Sequence, residues 1–126
     1  MINTLPKEVL VVEDEPLVRM VAADALTDRG IMAWEAADAG EALEVLEQHP
    51  RIGLLFTDVN MPGEMNGLHL AHEVSVKRPD VGLIVTSGAV RLTDEDLPDN
   101  GTFLPKPYPT EQLINIVEEK LDGDHF

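Results

Sequence analysis

Carboxylates follow two of the short apolar runs in this sequence, at the points where those runs end. Asp58 comes directly after the run 54–57, and Glu13 and Asp14 come directly after the run 9–12. Carboxylates that lie close together repel one another, which raises a pKa or requires a cation. Oxygen ligands suit Mg²⁺, which needs only one or two carboxylates because it keeps several of its waters. The three acids therefore indicate a magnesium site if the fold brings them together.

A hydroxyl group and an ammonium group follow two later apolar runs. Ser87 comes after the run 81–86, and Lys106 comes shortly after the run 102–104. Both kinds of group donate to phosphoryl oxygens. Together with the acids they predict that Asp58 accepts a phosphoryl group whose charge Mg²⁺ and Lys106 neutralise. Taken singly, each residue also suits an ordinary role, as a helix-favouring acid, a turn serine or a solvated lysine.

Alternating strands and helices would bring these residues to one edge of a sheet. Continuous apolar runs bounded by turn residues are typical of strands buried on both faces, as in a parallel sheet. The sequence predicts strands over residues 9–12, 31–35, 52–57, 81–86 and 102–104, and helices over 16–29, 39–49, 68–78 and 110–121. Pro16 suits a first helical turn, Gly30 a helix end, and Asp38 an N-cap. This alternation predicts an α/β fold with a five-stranded parallel sheet and helices on both faces.

Length and charge limit the classes of function. The 126 residues suit one domain with a real core, and 24 acidic against 9 basic residues give a net charge of −15. Such a chain is repelled by nucleic acid and by anionic membrane surfaces. No apolar run approaches the roughly 20 residues of a membrane span, and the first ten residues lack the features of a signal peptide. We therefore expect a cytoplasmic domain with no direct nucleic-acid binding and no membrane insertion.

The whole chain resembles the receiver (CheY-like) domains of bacterial two-component response regulators. The resemblance rests on VVEDE at 11–15, TDVNMP at 57–62, TSG at 86–88 and LPKPY at 104–108. It implies a flavodoxin-like doubly wound sheet of strand order 2-1-3-4-5. It also implies a phosphoryl donor that is a sensor histidine kinase or a histidine phosphotransfer protein. Because the sequence stops within five residues of its last predicted helix, we expect residues 1–126 to be a single receiver domain that acts on an output protein in trans.

The resemblance also implies roles for the residues around the phosphoryl group. Asp58 would be the phosphoacceptor and Asp14 a direct Mg²⁺ ligand. Glu13 would act on the metal largely through water, and Asn60 would offer its backbone carbonyl. Lys106 matches the lysine that contacts the phosphoryl group.

Two further positions match the switch residues of the family. Counting along strand four from Gly82, where the family often has proline, places Ser87 rather than Thr86 at the switch hydroxyl. Phe103, three residues before Lys106, matches the aromatic switch position. The bond between Lys106 and the following proline matches one that is cis in the family.

The sequence departs from the family pattern at three places. Glu13 replaces the commoner aspartate of the acidic pair, a change of one methylene. Four residues instead of three separate Pro62 from Gly67. Only the ten residues 90–99 occupy the place of the fourth helix, and Pro98 interrupts them, so this helix is expected to be short or absent. We expect a mobile loop with at most one helical turn, ordered on phosphorylation or on docking of a partner.

Two other functions compete with a phosphoacceptor switch. A Mg²⁺-dependent phosphatase with an aspartyl nucleophile would have a second aspartate two positions after Asp58 as general acid, but Asn60 stands there. A flavin-binding carrier would have a hydroxyl- and glycine-rich loop after strand one, where this sequence has acids that repel phosphate. The sequence therefore favours a signalling switch over a dedicated enzyme.

Overall fold

One parallel sheet with helices on both faces forms the core of a computed structural model that describes residues 7–122. The strands are β1 (Glu8–Val12), β2 (Ala33–Ala36), β3 (Ile52–Asp58), β4 (Gly82–Ser87) and β5 (Thr102–Pro105). The helices are α1 (Pro16–Thr27), α2 (Ala39–Gln48), α3 (Gly67–Lys77) and α4 (Thr110–Asp122), with a single 3₁₀ turn at Asp94–Asp96. The strand order β2-β1-β3-β4-β5 confirms the predicted fold. The ends of the predicted 1–126 domain lie outside the described residues. Within residues 7–122, no helix is long and apolar enough to cross a membrane.

The central strand β3 is buried on both faces, as its continuous apolar run predicts. Leu54 and Phe56 pack with α1 and α4, whereas Leu55 packs on the opposite face with α2 and α3. All three side chains are at most 3% exposed. Burying such side chains stabilises the fold by about 1.5–3 kcal/mol each. This double burial fixes β3 in the middle of the sheet, so its last residue lies at the centre of the carboxyl edge.

Side chains and glycine set the helix ends. The predicted N-cap Asp38 is confirmed, since its carboxylate accepts a hydrogen bond from the Glu41 N–H at 2.8 Å. Gly30 ends α1 with a φ of 80°, and the Ile31 N–H then donates back to the Leu26 carbonyl at 3.0 Å. Because Ile31 still closes the helix, β2 begins later than the predicted residue 31.

The segment between β4 and β5 contains the 3₁₀ turn and no longer helix, which confirms the short fourth helix. Asp94 in this turn accepts a hydrogen bond from the backbone N–H of Phe103 at 2.8 Å. The side chain of Leu97 is only 7% exposed in the core, and Pro98 directly after it cannot continue a helix. These contacts join the segment to the edge strand β5 and to the core. The mobility expected for residues 90–101 stays a prediction, which amide exchange would test.

Candidate functional site

The structure brings the three predicted acids together at the carboxyl edge of the sheet. In the parallel pairing of β1 with β3, Val12 lies beside Thr57, so the residues that follow Val12 and Thr57 in the chain are neighbours. Carboxylate oxygens of Glu13, Asp14 and Asp58 all lie within 4.8 Å of one another. Glu13 and Asp58 are 4% and 7% exposed, whereas Asp14 faces solvent. Two buried carboxylates therefore share this edge with an exposed one.

Lys106 supplies positive charge to the same cluster. Its Nζ lies 3.2 Å from Glu13 Oε1 and 3.4 Å from Asp58 Oδ2. The end of β5 positions this lysine, because its backbone N–H donates to the Ser87 carbonyl at 3.0 Å. The Lys106–Pro107 bond is cis, as the resemblance implies. Three ionised carboxylates and one ammonium leave a net charge of −2 at the site.

Burial opposes ionisation of both buried acids. Burial raises the pKa of Asp58, although attraction and hydrogen bonding from Lys106 act against the rise. Burial likewise raises the pKa of Glu13, against the hydrogen bond from the Glu15 N–H at 3.2 Å and the contact with Lys106. Burial acts to lower the pKa of Lys106, but attraction to Asp58 and Glu13 outweighs it and raises that pKa. The lysine therefore stays charged and offsets only part of the repulsion between the acids.

The raised pKa of Asp58 predicts that the contribution of this residue to stability in metal-free buffer falls as pH rises. The folded protein binds the Asp58 proton more tightly than the unfolded chain does, so this group stabilises the fold at low pH. That contribution is lost as pH rises from the ordinary value of 3.8 through the raised pKa. Urea unfolding of wild type and Asp58→Asn over about pH 4–8 tests this. The variant should gain stability relative to wild type as pH rises; a constant difference would contradict the prediction.

The donor set fits a magnesium ion. The site offers oxygen ligands, a net charge of −2 that a divalent cation balances, and an exposed carboxylate through which the ion can enter. One oxygen of each carboxylate lies within 4.8 Å of the other two, so the three could face one small cation. Glu13, Asp14 and Asp58 are therefore the residues that would hold the ion.

Gly67 fixes the backbone of Asp58 from the side of α3. Its N–H donates to the Val59 carbonyl at 2.9 Å, and a Cβ at this position would overlap the Asp58 carbonyl oxygen. The Thr57 hydroxyl donates to the same carbonyl at 3.0 Å. The extra residue before Gly67 is absorbed in the loop, where Gly63 takes a φ of 100°. The loop thus keeps Gly67 against Asp58 despite its unusual length.

The two hydroxyl residues of β4 have different surroundings. Thr86 is buried, and its hydroxyl donates to the Leu104 carbonyl of β5 at 2.6 Å. The Ser87 hydroxyl oxygen accepts from the Ala89 and Val90 N–H groups at 3.2 and 3.0 Å, in the loop beyond the strand. Thr86 therefore ties two strands together, whereas Ser87 stands at the carboxyl edge beside Lys106.

Two other predicted residues lie around the cluster. Asn60 is exposed two residues beyond Asp58, and hydrogen bonding from its backbone N–H acts to lower the pKa of Asp58. Phe103 lies opposite Val85 in the β4–β5 pairing and packs half-buried against the apolar core. Phe103 thus packs against the core, on the strand that leads to Lys106.

Asp14→Ala should abolish stabilisation by Mg²⁺ without lowering the stability of the metal-free protein. The exposed Asp14 adds repulsion to the cluster, so its removal relieves repulsion and also takes away one of the three carboxylates that would hold the ion. At a metal concentration 100 times Kd, wild type should gain about 2.7 kcal/mol. Urea unfolding with and without MgCl₂ measures both effects.

Asp24→Ala, which removes an exposed acid of α1, is the matched control and should respond to Mg²⁺ like wild type. A large loss of metal-free stability in Asp14→Ala would contradict the prediction.

Comparisons with known proteins agree on one family. The model of the response regulator receiver domain matches residues 9–118. The sensor kinase CckA of Brucella abortus is 41% identical over 90% of this chain, which spans 12% of the length of CckA. The response regulator receiver protein CpdR of Brucella abortus is 33% identical over 91% of this chain and 97% of its own. The crystal structure of a response regulator receiver protein from Pseudomonas putida has a TM-score of 0.82 and 33% identity, covering 93% of this chain and 99% of that one.

Proposed function

Because this chain belongs to the response regulator receiver domain family of two-component systems, we propose that Asp58 is its phosphoacceptor. The observation that carries the proposal is the position of Asp58, buried at the end of β3 with Lys106 Nζ 3.4 Å from its Oδ2. The donor is the phosphohistidine of a sensor kinase or of a histidine phosphotransfer protein. Similarity to the sensor kinase CckA and to CpdR supports this assignment.

The transfer is a displacement at phosphorus. A carboxylate oxygen of Asp58 forms a bond to the phosphorus atom, the phosphorus–nitrogen bond of the donor breaks, and its electron pair stays on the imidazole. Lys106 neutralises charge on the phosphoryl oxygens. Bound Mg²⁺, held by Asp14, Asp58, the Asn60 carbonyl and through water by Glu13, would supply further positive charge. A water molecule later attacks the phosphorus atom, the bond from phosphorus to the Asp58 oxygen breaks, and inorganic phosphate leaves while Asp58 returns to its carboxylate form.

The reaction serves signalling rather than the turnover of a substrate. The only chemistry in this proposal is the gain and loss of one phosphoryl group at Asp58. The phosphatase alternative has no support, because the position two residues beyond Asp58 holds Asn60, whose amide is not a general acid. The phosphorylated form acts by contact with an output protein, and the net charge of −15 argues against direct contact with nucleic acid.

We propose that Ser87 and Phe103 change position when Asp58 is phosphorylated. Phosphorylation adds a charge of about −2 and several acceptor oxygens beside Lys106. Ser87 lies at the same edge, and its backbone carbonyl accepts a hydrogen bond from the backbone N–H of Lys106. A shift of Ser87 toward the phosphoryl group would leave space for Phe103 to move inward on the adjacent strand.

Ser87→Ala should leave phosphoryl uptake in place while removing the conformational response. Amide NMR spectra before and after phosphorylation measure that response at β4 and β5. Thr86→Val is the matched comparison. It removes the buried hydrogen bond to Leu104, so it should cost about 1–3 kcal/mol of stability but keep the response. If the conformational response were lost in Thr86→Val and kept in Ser87→Ala, the switch hydroxyl would be that of Thr86 and the assignment to Ser87 would be wrong.

Incubation with acetyl phosphate tests the proposed function itself. Intact mass spectrometry should find one added phosphoryl group in the presence of MgCl₂ and none when EDTA is present. The small donor removes any need for the cognate kinase, so the result depends on this chain alone. The absence of an adduct, or an adduct that forms equally in EDTA, would contradict the proposal.

A further inference from the structure

Arg19 of α1 contacts the segment that presents the acidic pair. Its Nη1 donates to the backbone carbonyl of Glu13 at 2.8 Å. Its Nε donates to Glu35 Oε1 of β2 at 3.1 Å. The Arg19 side chain is 20% exposed, so the contact with the carbonyl is largely shielded from water. A planar guanidinium with fixed N–H directions thus joins the end of β1 to the edge strand.

The Glu13 carbonyl belongs to the peptide bond that leads into Asp14. Glu13 lies one residue beyond β1, and its N–H donates to the Ala36 carbonyl at 3.1 Å. The Glu13 N–H belongs to the preceding peptide, which β2 holds, and Arg19 holds the carbonyl of the following one, so the peptide groups on both sides of the Glu13 Cα are fixed. Their orientation sets where the Asp14 carboxylate stands relative to Asp58.

We propose that Arg19 is a positioning residue of the phosphoryl-accepting site, which orients the acidic pair for Mg²⁺ by holding the Glu13 carbonyl. This inference rests on the proposed function, because it concerns the ion that the same site would hold. The side-chain partners of Arg19 are the Glu13 carbonyl and the Glu35 carboxylate, so it forms no hydrogen bond or ion pair with the carboxylates of the cluster. It acts through the backbone that carries two of the ligands.

Electrostatics and positioning predict opposite signs for the loss of Arg19. Arg19→Ala removes a positive charge near three carboxylates, and charge alone would then make Mg²⁺ bind more tightly. Loss of positioning instead weakens binding, because residues that hold metal ligands typically contribute about tenfold or more to affinity. The direction of the change therefore separates the two effects.

An NMR titration of the full chain with MgCl₂ provides the test. We expect Arg19→Ala to bind Mg²⁺ about tenfold more weakly than wild type. Arg19→Lys keeps the charge and one amine donor and should recover most of that loss. Arg51→Ala removes an arginine that precedes β3 at the opposite end of the sheet, so it should bind Mg²⁺ as wild type does.

Equal or tighter Mg²⁺ binding by Arg19→Ala would overturn the inference while leaving the proposed function intact. Failure of the wild type to bind Mg²⁺ and to take up a phosphoryl group would overturn the proposed function, and the inference with it. Should Arg19→Ala fail to fold, Arg19→Met decides the matter, since it keeps the aliphatic stem and removes both donors and the charge. A similar loss of affinity is then expected, and equal or tighter binding would overturn the inference.

Discussion

Asp58→Asn should abolish phosphoryl uptake from acetyl phosphate completely. Asparagine has nearly the shape of aspartate, so the end of β3 and the contact with Lys106 are preserved as far as possible. The neutral amide oxygen is a poor nucleophile and cannot form the acyl phosphate. Intact mass spectrometry of the variant after incubation with acetyl phosphate and MgCl₂ should therefore find only the unmodified protein.

A matched control separates the role of Asp58 from the loss of one negative charge. Asp80→Asn makes the same chemical change at an exposed aspartate that pairs with Arg78. This variant should accept one phosphoryl group as wild type does. Uptake that persists in Asp58→Asn, or that is lost equally in Asp80→Asn, would contradict the assignment of the acceptor.

Gly67→Ala should lower the free energy of unfolding by about 3 kcal/mol. The added Cβ would overlap the carbonyl oxygen of Asp58, which is backbone and cannot move aside as a flexible side chain can. Relief requires α3 and the end of β3 to move apart, which also displaces the Asp58 carboxylate. Urea unfolding measures the stability, and the rate of phosphoryl uptake from acetyl phosphate should fall in parallel.

Gly40→Ala is the control for this substitution. Gly40 also lies in the first turn of a helix, but its added Cβ would meet only Asp38 Oδ1 at 3.5 Å, an ordinary contact. Because alanine favours the helix, stability should stay the same or rise by less than about 1 kcal/mol. If both glycine variants lost stability equally, close packing against Asp58 would not be the cause.

The sequence predicted the sheet and the position of Asp58 because both depend on simple patterns. A continuous apolar run such as the one before Asp58 indicates a strand buried on both faces. The ends of neighbouring parallel strands necessarily meet at one edge. The meeting of Glu13, Asp14 and Asp58 follows from that rule together with the strand order that the resemblance implied.

Contacts that depend on the rotation of a helix or the path of a loop were not predictable in this way. The hydrogen bond from Arg19 to the Glu13 carbonyl requires α1 to turn one particular face toward the end of β1. Asp94 reaches the Phe103 N–H only because a 3₁₀ turn replaces a longer helix beside the edge strand. Neither contact leaves a periodic signal in the sequence, since each joins a single side chain to a backbone group.

The most direct test of this account is the position of the phosphoryl group in the phosphorylated protein. Borohydride reduces an acyl phosphate of aspartate to homoserine, which marks the acceptor permanently. Tandem mass spectrometry of peptides from the reduced wild-type protein should find homoserine at position 58 and unmodified aspartate at position 14. Homoserine at Asp14 with Asp58 intact, or a phosphoryl group on His69 or His72, would contradict the central claim that Asp58 accepts the phosphoryl group.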